Sequence, residues 1–94
     1  MVESDAQRRV LELHNQMFLS PQVFSYRWNI DYETLAEICC LSKATTYHWL
    51  GGQASRRPAG LPYQRIMALA DLLLENAEQA CPLLEGWQAR RSSS

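Results

Sequence analysis

The sequence predicts an all-α protein, a compact bundle of about five to six short helices with a helix-turn-helix at its centre. Apolar residues recur at spacings of three and four in several separate stretches, which is the period of one face of an α-helix. Several of these stretches follow a Ser, Asp or Pro of the kind that begins helices. Because 94 residues suffice for one modest core, we expect a single domain over residues 1–94.

The N-terminal segment, residues 1–20, is predicted to be a helix over residues 5–18. Its apolar stripe, which would face the core or a partner, consists of Ala6, Val10, Leu13 and Met17. Ser20 and Pro21 are typical of a helix start, so a second short helix should run to about Trp28. Base-stacking platforms need exposed aromatic side chains along a basic groove. We therefore interpret the aromatic residues here as core and support: Phe24, Tyr26, Trp28 and Tyr32.

The central stretch, residues 31–52, predicts two short helices joined by a tight turn. Asp31 is a suitable N-cap for the first helix, whose apolar face is Leu35, Ile38 and Cys39. Ser42 is a suitable N-cap for a second helix from Lys43 to Leu50, which Gly51 and Gly52 would end. Spacing places Thr46, Trp49 and Leu50 toward the core. The opposite face would consist of Lys43, Ala44, Tyr47 and His48.

The C-terminal helices are predicted over residues 62–88. Pro62 begins one helix, with the apolar stripe Ile66, Leu69, Ala70 and Leu73. Asn76 to Gln79 should continue or end this helix, Pro82 should mark another break before a short last helix, and residues 89–94 should be a flexible tail. The surplus of apolar residues from Leu72 to Trp87, together with the first helix, is large for so small a core. We therefore expect a homodimer.

A Leu-Ala pair, an apolar turn residue, a capping Ser and an apolar end to the second helix follow one another in the central stretch: Leu35, Ala36, Leu41, Ser42, Thr45 and Trp49. In this pattern the chain resembles the lambda-repressor-like (Cro/C1-type) helix-turn-helix DNA-binding family, in which a loop and a Pro-started helix also follow. Two positions depart from the family. Thr46 replaces a buried β-branched aliphatic residue, and Cys40 replaces the usual Gly. Because positive φ strains a Cys residue, we expect a wider turn than the family's.

The charge of the chain is unevenly distributed. Its formal net charge is -1, which alone argues against a nucleic-acid binder. Between Ile38 and Ala70, however, there is no Asp or Glu. This window contains only cations among its formally charged residues, namely Lys43, Arg56, Arg57 and Arg65. A nearly neutral chain can therefore still present one positive surface.

Two functions fit these features. The first is a sequence-specific binder of double-stranded DNA, a small transcriptional regulator whose second motif helix enters the major groove. The resemblance implies base or groove contacts by Lys43, Ala44, Tyr47 and His48, and phosphate contacts by Ser42, Thr45, Arg56, Arg57 and Arg65. The alternative is a protein-interaction module that docks on a larger partner, such as a polymerase subunit or a toxin. Affinity for duplex DNA that falls with salt would separate the two.

Other classes of function find no support in the sequence. We find no nucleophile, base and orienting residue at suitable spacing, so we expect no enzyme and no cofactor. The cysteines Cys39, Cys40 and Cys81 match no zinc pattern and predict reduced thiols, with Cys39 as a small buried hydrophobe. No apolar run approaches the ~20 residues of a membrane span, and the N-terminus lacks the apolar core of a signal peptide. We expect a cytoplasmic protein that does not enter membranes.

Overall fold

A computed structural model of the protein describes residues 4–51 and 58–92. This part of the chain contains six α-helices and no β-strand, which confirms the all-α prediction. The helices are α1 (Asp5–His14), α2 (Pro21–Trp28), α3 (Tyr32–Cys39), α4 (Lys43–Leu50), α5 (Leu61–Glu75) and α6 (Ala77–Ser92). Among these helices none has the length and apolar composition needed to cross a membrane.

The hydrophobic core lies between α2, α3, α4 and α5. In this core α3 packs against α4 and α5, and α2 also packs against α4 and α5. The buried side chains of the core cluster are Phe24, Leu35, Cys39, Trp49, Ala59 and Met67. Burial of Cys39 agrees with the prediction of a small hydrophobe, and burial raises the pKa of its thiol to about 11.

Local sequence signals begin the helices of this core. The side chains of Ser20, Asp31 and Ser42 each accept a hydrogen bond from the backbone N–H three residues later, as N-caps do. At Asp31 the hydrogen bonds from Thr34 lower the pKa of the carboxyl group. Ser4 and Gln7 form a reciprocal capping box at the start of α1. The predicted starts of α2, α3 and α4 are therefore confirmed.

The N-terminal helix is shorter than predicted and lies on the outside of the bundle. It ends at His14 rather than at residue 18, because the chain that follows is held in non-helical form along α5. There the Leu19 N–H donates to the Gln64 carbonyl at 3.1 Å, and Arg65 Nη2 donates to the Asn15 carbonyl at 2.8 Å. No residue of α1 is buried. Of the two alternatives for its apolar stripe, the core-facing one is wrong.

The C-terminal helices also differ from the prediction. The helical backbone is interrupted at Asn76, with φ -121° and ψ 42°, which agrees with the alternative that the helix ends between Asn76 and Gln79, but the predicted further break at Pro82 is wrong. Both the backbone N–H and the side-chain amide of Asn76 donate to the Leu72 carbonyl, which ends α5. Pro82 lies inside α6, where its ring removes one backbone hydrogen bond without ending the helix. Helix α6 continues to Ser92, so most of the predicted flexible tail is helical.

Helix α5 does not turn all of its predicted stripe toward the core. Its buried residues are Met67 and Ala68, whereas Ile66 and Leu73 are exposed. With α1 and α6 outside the core, the protein is extended, and its longest dimension is 47 Å. The radius of gyration is 15.4 Å. A closely packed domain of this length would have a value of about 12 Å.

Candidate nucleic-acid interface

The centre of the bundle is a pair of eight-residue helices, α3 and α4, joined by the turn Cys40, Leu41 and Ser42. Cys40 adopts the left-handed conformation, with φ 55° and ψ 47°. The Leu41 N–H donates to the Ala36 carbonyl at 3.0 Å, which closes the end of α3 as in a Schellman motif. A three-residue turn is ordinary for this motif, so the expected widening at Cys40 is wrong. Packing of Leu41 on the core holds Cys40 in its strained conformation.

Thr46 joins the two helices of the motif. Its side chain is completely buried, and its hydroxyl donates to the Tyr32 carbonyl at 2.6 Å. A β-branched side chain with a hydroxyl therefore fills the position of a β-branched aliphatic residue and adds a hydrogen bond between α3 and α4. This bond holds the start of α3 against the middle of α4.

Trp49 fixes the other end of α4 to the bundle. The side chain is 4% exposed, which agrees with its predicted place in the core. Its ring centroid lies 5.7 Å from that of Tyr63 on α5. From α2, Gln22 Nε2 donates to the Trp49 carbonyl at 2.6 Å. Helix α4 is thus held by α2, α3 and α5, so its outer face has a defined orientation.

The outer face of α4 contains the residues that the helical spacing places opposite Trp49. Lys43, Ala44 and Tyr47 are exposed, and His48 is half-buried beside them. The ring of Tyr47 meets the ring of Tyr32 edge-on, with centroids 5.3 Å apart. Just before and within the first turn of α4, Ser42 is exposed and Thr45 half-buried, with their hydroxyl oxygens 3.0 Å apart. The structure therefore brings Ser42, Lys43, Ala44, Thr45, Tyr47 and His48 together on one helix.

The positive charge of Lys43 is partly compensated. Its Nζ lies 3.2 Å from Glu33 Oε2, and both side chains are more than half exposed. An ion pair this exposed is weak and exchanges readily with other partners. The sequence did not indicate this pair, because Glu33 and Lys43 lie on different helices and no periodic spacing connects them.

Of the three arginines predicted to bind phosphate, only Arg65 lies in the described part of the chain. Arg65 is bound by the segment after α1, with its guanidinium 4.9 Å from the centre of the Phe18 ring in addition to its bond to Asn15. These contacts hold the segment after α1 against α5, and phosphate binding by Arg65 stays a prediction. Arg56 and Arg57 lie outside the described residues.

Aromatic side chains near the motif behave as predicted in all but one case. Phe24 is buried, Trp28 donates to Asp71 at 2.9 Å, and Tyr32 supports Tyr47. Tyr26 is 90% exposed on α2, so its predicted core position is wrong. Tyr26 lies on a face of α2 that none of the other described helices covers.

These features define an all-α domain whose centre is a helix-turn-helix arrangement with an anchored second helix. Comparison of the chain with models of protein families, with curated proteins and with solved structures found no match.

Proposed function

We propose that the protein binds double-stranded DNA in a sequence-specific manner, as a small transcriptional regulator that inserts α4 into the major groove. The observation that carries this proposal is the attachment of α4. Its inner face is held by Thr46 and Trp49, and its outer face presents polar side chains on an exposed helix. The major groove, about 12 Å wide, admits a helix presented in this way.

Each residue of the outer face and the first turn of α4 has a chemically suitable role. Lys43 and His48 supply hydrogen-bond donors for purine edges, and the methyl group of Ala44 suits the methyl group of thymine. Ser42 and Thr45, at the start of α4, have hydroxyl groups that can bind phosphate oxygens. Tyr47 is held by its contact with Tyr32, so its ring can enter the groove with little loss of side-chain entropy.

The charges near α4 are mixed. Asp31 and Glu33 at the start of α3 repel phosphate, and Glu33 is paired with Lys43 in the first turn of α4. The sequence from Ile38 to Ala70, which includes α4, has no acidic residue. Binding of DNA would exchange the Glu33 partner of Lys43 for an acceptor on a base. Since the pair is exposed, this exchange has a small cost in free energy.

The test begins with selection of bound sequences from a random pool of duplexes, because the site is unknown. Binding of the selected duplex and of a scrambled one is then measured for the parent, Lys43→Ala and His48→Ala. We expect each variant to lose ~1 to 3 kcal/mol on the selected duplex and to discriminate less between the two. Arg8→Ala is the control, since it removes a cation that also lies in an exposed ion pair, but on α1.

Two results would contradict the proposal. One is that selection enriches no sequence. The other is that both α4 variants bind the selected duplex like the parent, while Arg8→Ala does too. A protein partner retained at high salt, with no salt-dependent affinity for duplexes, would favour the protein-interaction module instead.

A further inference from the structure

The outer face of α4 continues onto the first turn of α3. The Thr46 hydroxyl donates to the Tyr32 carbonyl at 2.6 Å, and this bond fixes the start of α3 beside the middle of α4. Next along α3, Glu33 reaches α4, where its Oε2 atom lies 3.2 Å from Lys43 Nζ. Both side chains are more than half exposed. The surface proposed to meet DNA therefore contains a hydrogen-bond acceptor that the sequence did not assign to it.

The start of α3 does not need this carboxylate as a cap. Asp31 accepts a hydrogen bond from the Thr34 N–H at 2.8 Å, which is the N-cap interaction. The helix dipole favours an acidic residue in the first turn, but it does not direct that residue toward a neighbouring helix. The carboxylate of Glu33 can therefore bind a ligand once Lys43 has moved to the same ligand.

A carboxylate at a DNA interface must find a hydrogen-bond donor. Phosphate oxygens are negatively charged acceptors, so they repel Glu33. In the major groove the donors are the exocyclic amino groups of cytosine and adenine. Since Lys43 leaves Glu33 when it binds a base, a base pair that binds both side chains is favoured over one that binds Lys43 alone.

The ion pair fits the edge of a G·C base pair. Guanine presents the acceptors N7 and O6, and cytosine presents its N4 amino group beside O6. O6 and N4 are joined by a hydrogen bond of the base pair, so they lie about 2.9 Å apart. The distance between Lys43 Nζ and Glu33 Oε2 is similar, at 3.2 Å. The ammonium can donate to N7 and O6 while the carboxylate accepts from N4.

An A·T base pair fits this ion pair less well. Its amino group, adenine N6, lies between two acceptors, adenine N7 and thymine O4. The ammonium then has one acceptor on its side, and the acceptor on the other side repels the second carboxylate oxygen. Cytosine N4 has an acceptor on one side only, and in the G·C arrangement Lys43 takes that side.

We infer that Glu33 is a specificity-determining residue, which accepts a hydrogen bond from the N4 amino group of a cytosine while Lys43 donates to the guanine paired with it. This inference rests on the proposed function. It assigns the reading of one base pair to two residues from two helices, rather than to α4 alone. A good base contact discriminates against the wrong base at least about fivefold, so loss of the acceptor should be measurable.

The experiment uses the duplex selected by the parent protein, with single base pairs changed. Comparison of the parent with Lys43→Ala identifies the base pair that Lys43 contacts, and we expect G·C there. Glu33→Ala should lower the preference for G·C over A·T at this pair at least about fivefold. Binding of a scrambled duplex should not weaken, because a negative charge has been removed. Glu12→Ala is the control, since it also removes a carboxylate from an exposed ion pair, with Arg9 on α1, and it should keep the parent's preference.

A modified base tests the hydrogen bond itself. N4-methylcytosine keeps its pairing with guanine but carries a methyl group in the major groove where cytosine carries an N4 hydrogen. At the identified pair it should weaken binding by the parent at least about fivefold and have little effect on Glu33→Ala. Glu33→Gln keeps an acceptor oxygen, so it should lose less of the preference than Glu33→Ala. Circular dichroism must show parent-like helix content in each variant, and the exposure of Glu33 favours this.

Several results would overturn the inference while leaving the proposed function intact. One is a pair other than G·C at the position that Lys43 contacts, and another is a Glu33→Ala protein with the parent's preference. Equal weakening of the parent and Glu33→Ala by N4-methylcytosine would also overturn it, as would equal losses in Glu33→Gln and Glu33→Ala. A parent that selects no sequence contradicts the proposed function itself, and the inference with it.

Discussion

Replacement of Trp49 by Ala tests whether α4 depends on its buried anchor. The indole is nearly inaccessible and packs on Tyr63, so its removal leaves a cavity between α4 and α5. Truncation of a buried aromatic residue to Ala costs ~3 to 5 kcal/mol. A domain of this length has a total stability of about 5 to 14 kcal/mol. At about 5 °C per kcal/mol, we expect the melting temperature to fall by about 15 to 25 °C.

The assay is thermal unfolding followed by circular dichroism, with urea unfolding at 25 °C as a second measure. Tyr26→Ala is the control, because it removes a similar aromatic ring from an exposed position on α2. That variant should change the free energy of unfolding by no more than about 0.5 kcal/mol. A Trp49→Ala protein that melts within a few degrees of the parent would show that the indole does not support the fold, and the assigned inner face of α4 would be wrong.

Two further predictions concern charge and pH. If Arg56 and Arg57 each neutralise one phosphate, the double variant with Gln at both positions should make the slope of log affinity against log salt shallower by about two units. Base preference should be unchanged. An unchanged slope would exclude both contacts. Burial raises the pKa of Cys39 from 9.0 to about 11, so the folded state keeps its proton longer than the unfolded state. The contribution of the Cys39 thiol to the free energy of unfolding is therefore fully present below pH 9.0 and decreases as the pH rises toward 11. Urea titrations across this window should show a smaller decrease for Cys39→Ala than for the parent, and equal decreases would contradict the assignment.

The parts of the fold that the sequence predicts well are those that depend on neighbouring residues. The side chains of Ser20, Asp31 and Ser42 cap their helices within three residues of themselves, so their effect does not depend on the rest of the molecule. The outer face of α4 also follows from local spacing, because Thr46 and Trp49 lie three positions apart on one helix and are both buried.

The errors lie where distant parts of the chain decide the outcome. Helix α5 is apolar on two sides, and periodicity cannot tell which side the other core helices will cover; they cover Met67. Helix α1 ends early because Arg65 and Gln64, some fifty residues further along the chain, bind the residues after it. For the same reason the pairing of Lys43 with Glu33 is visible only in the folded protein.

The residues that end α2 and α3 affect how firmly the orientation of α4 is fixed. The chain has no Gly before residue 51, and the left-handed positions that end α2 and α3 are occupied by Asn29 and Cys40. Cys40 stores roughly 1 to 2 kcal/mol of strain in this conformation, which Asn29 adopts more readily, and both residues have fewer alternative conformations than Gly would have. The backbone at Asn29 and at Cys40 is therefore less flexible than it would be with Gly at these positions. A ligand that meets α4 meets a surface already set at its final angle, and little binding energy is lost in ordering it.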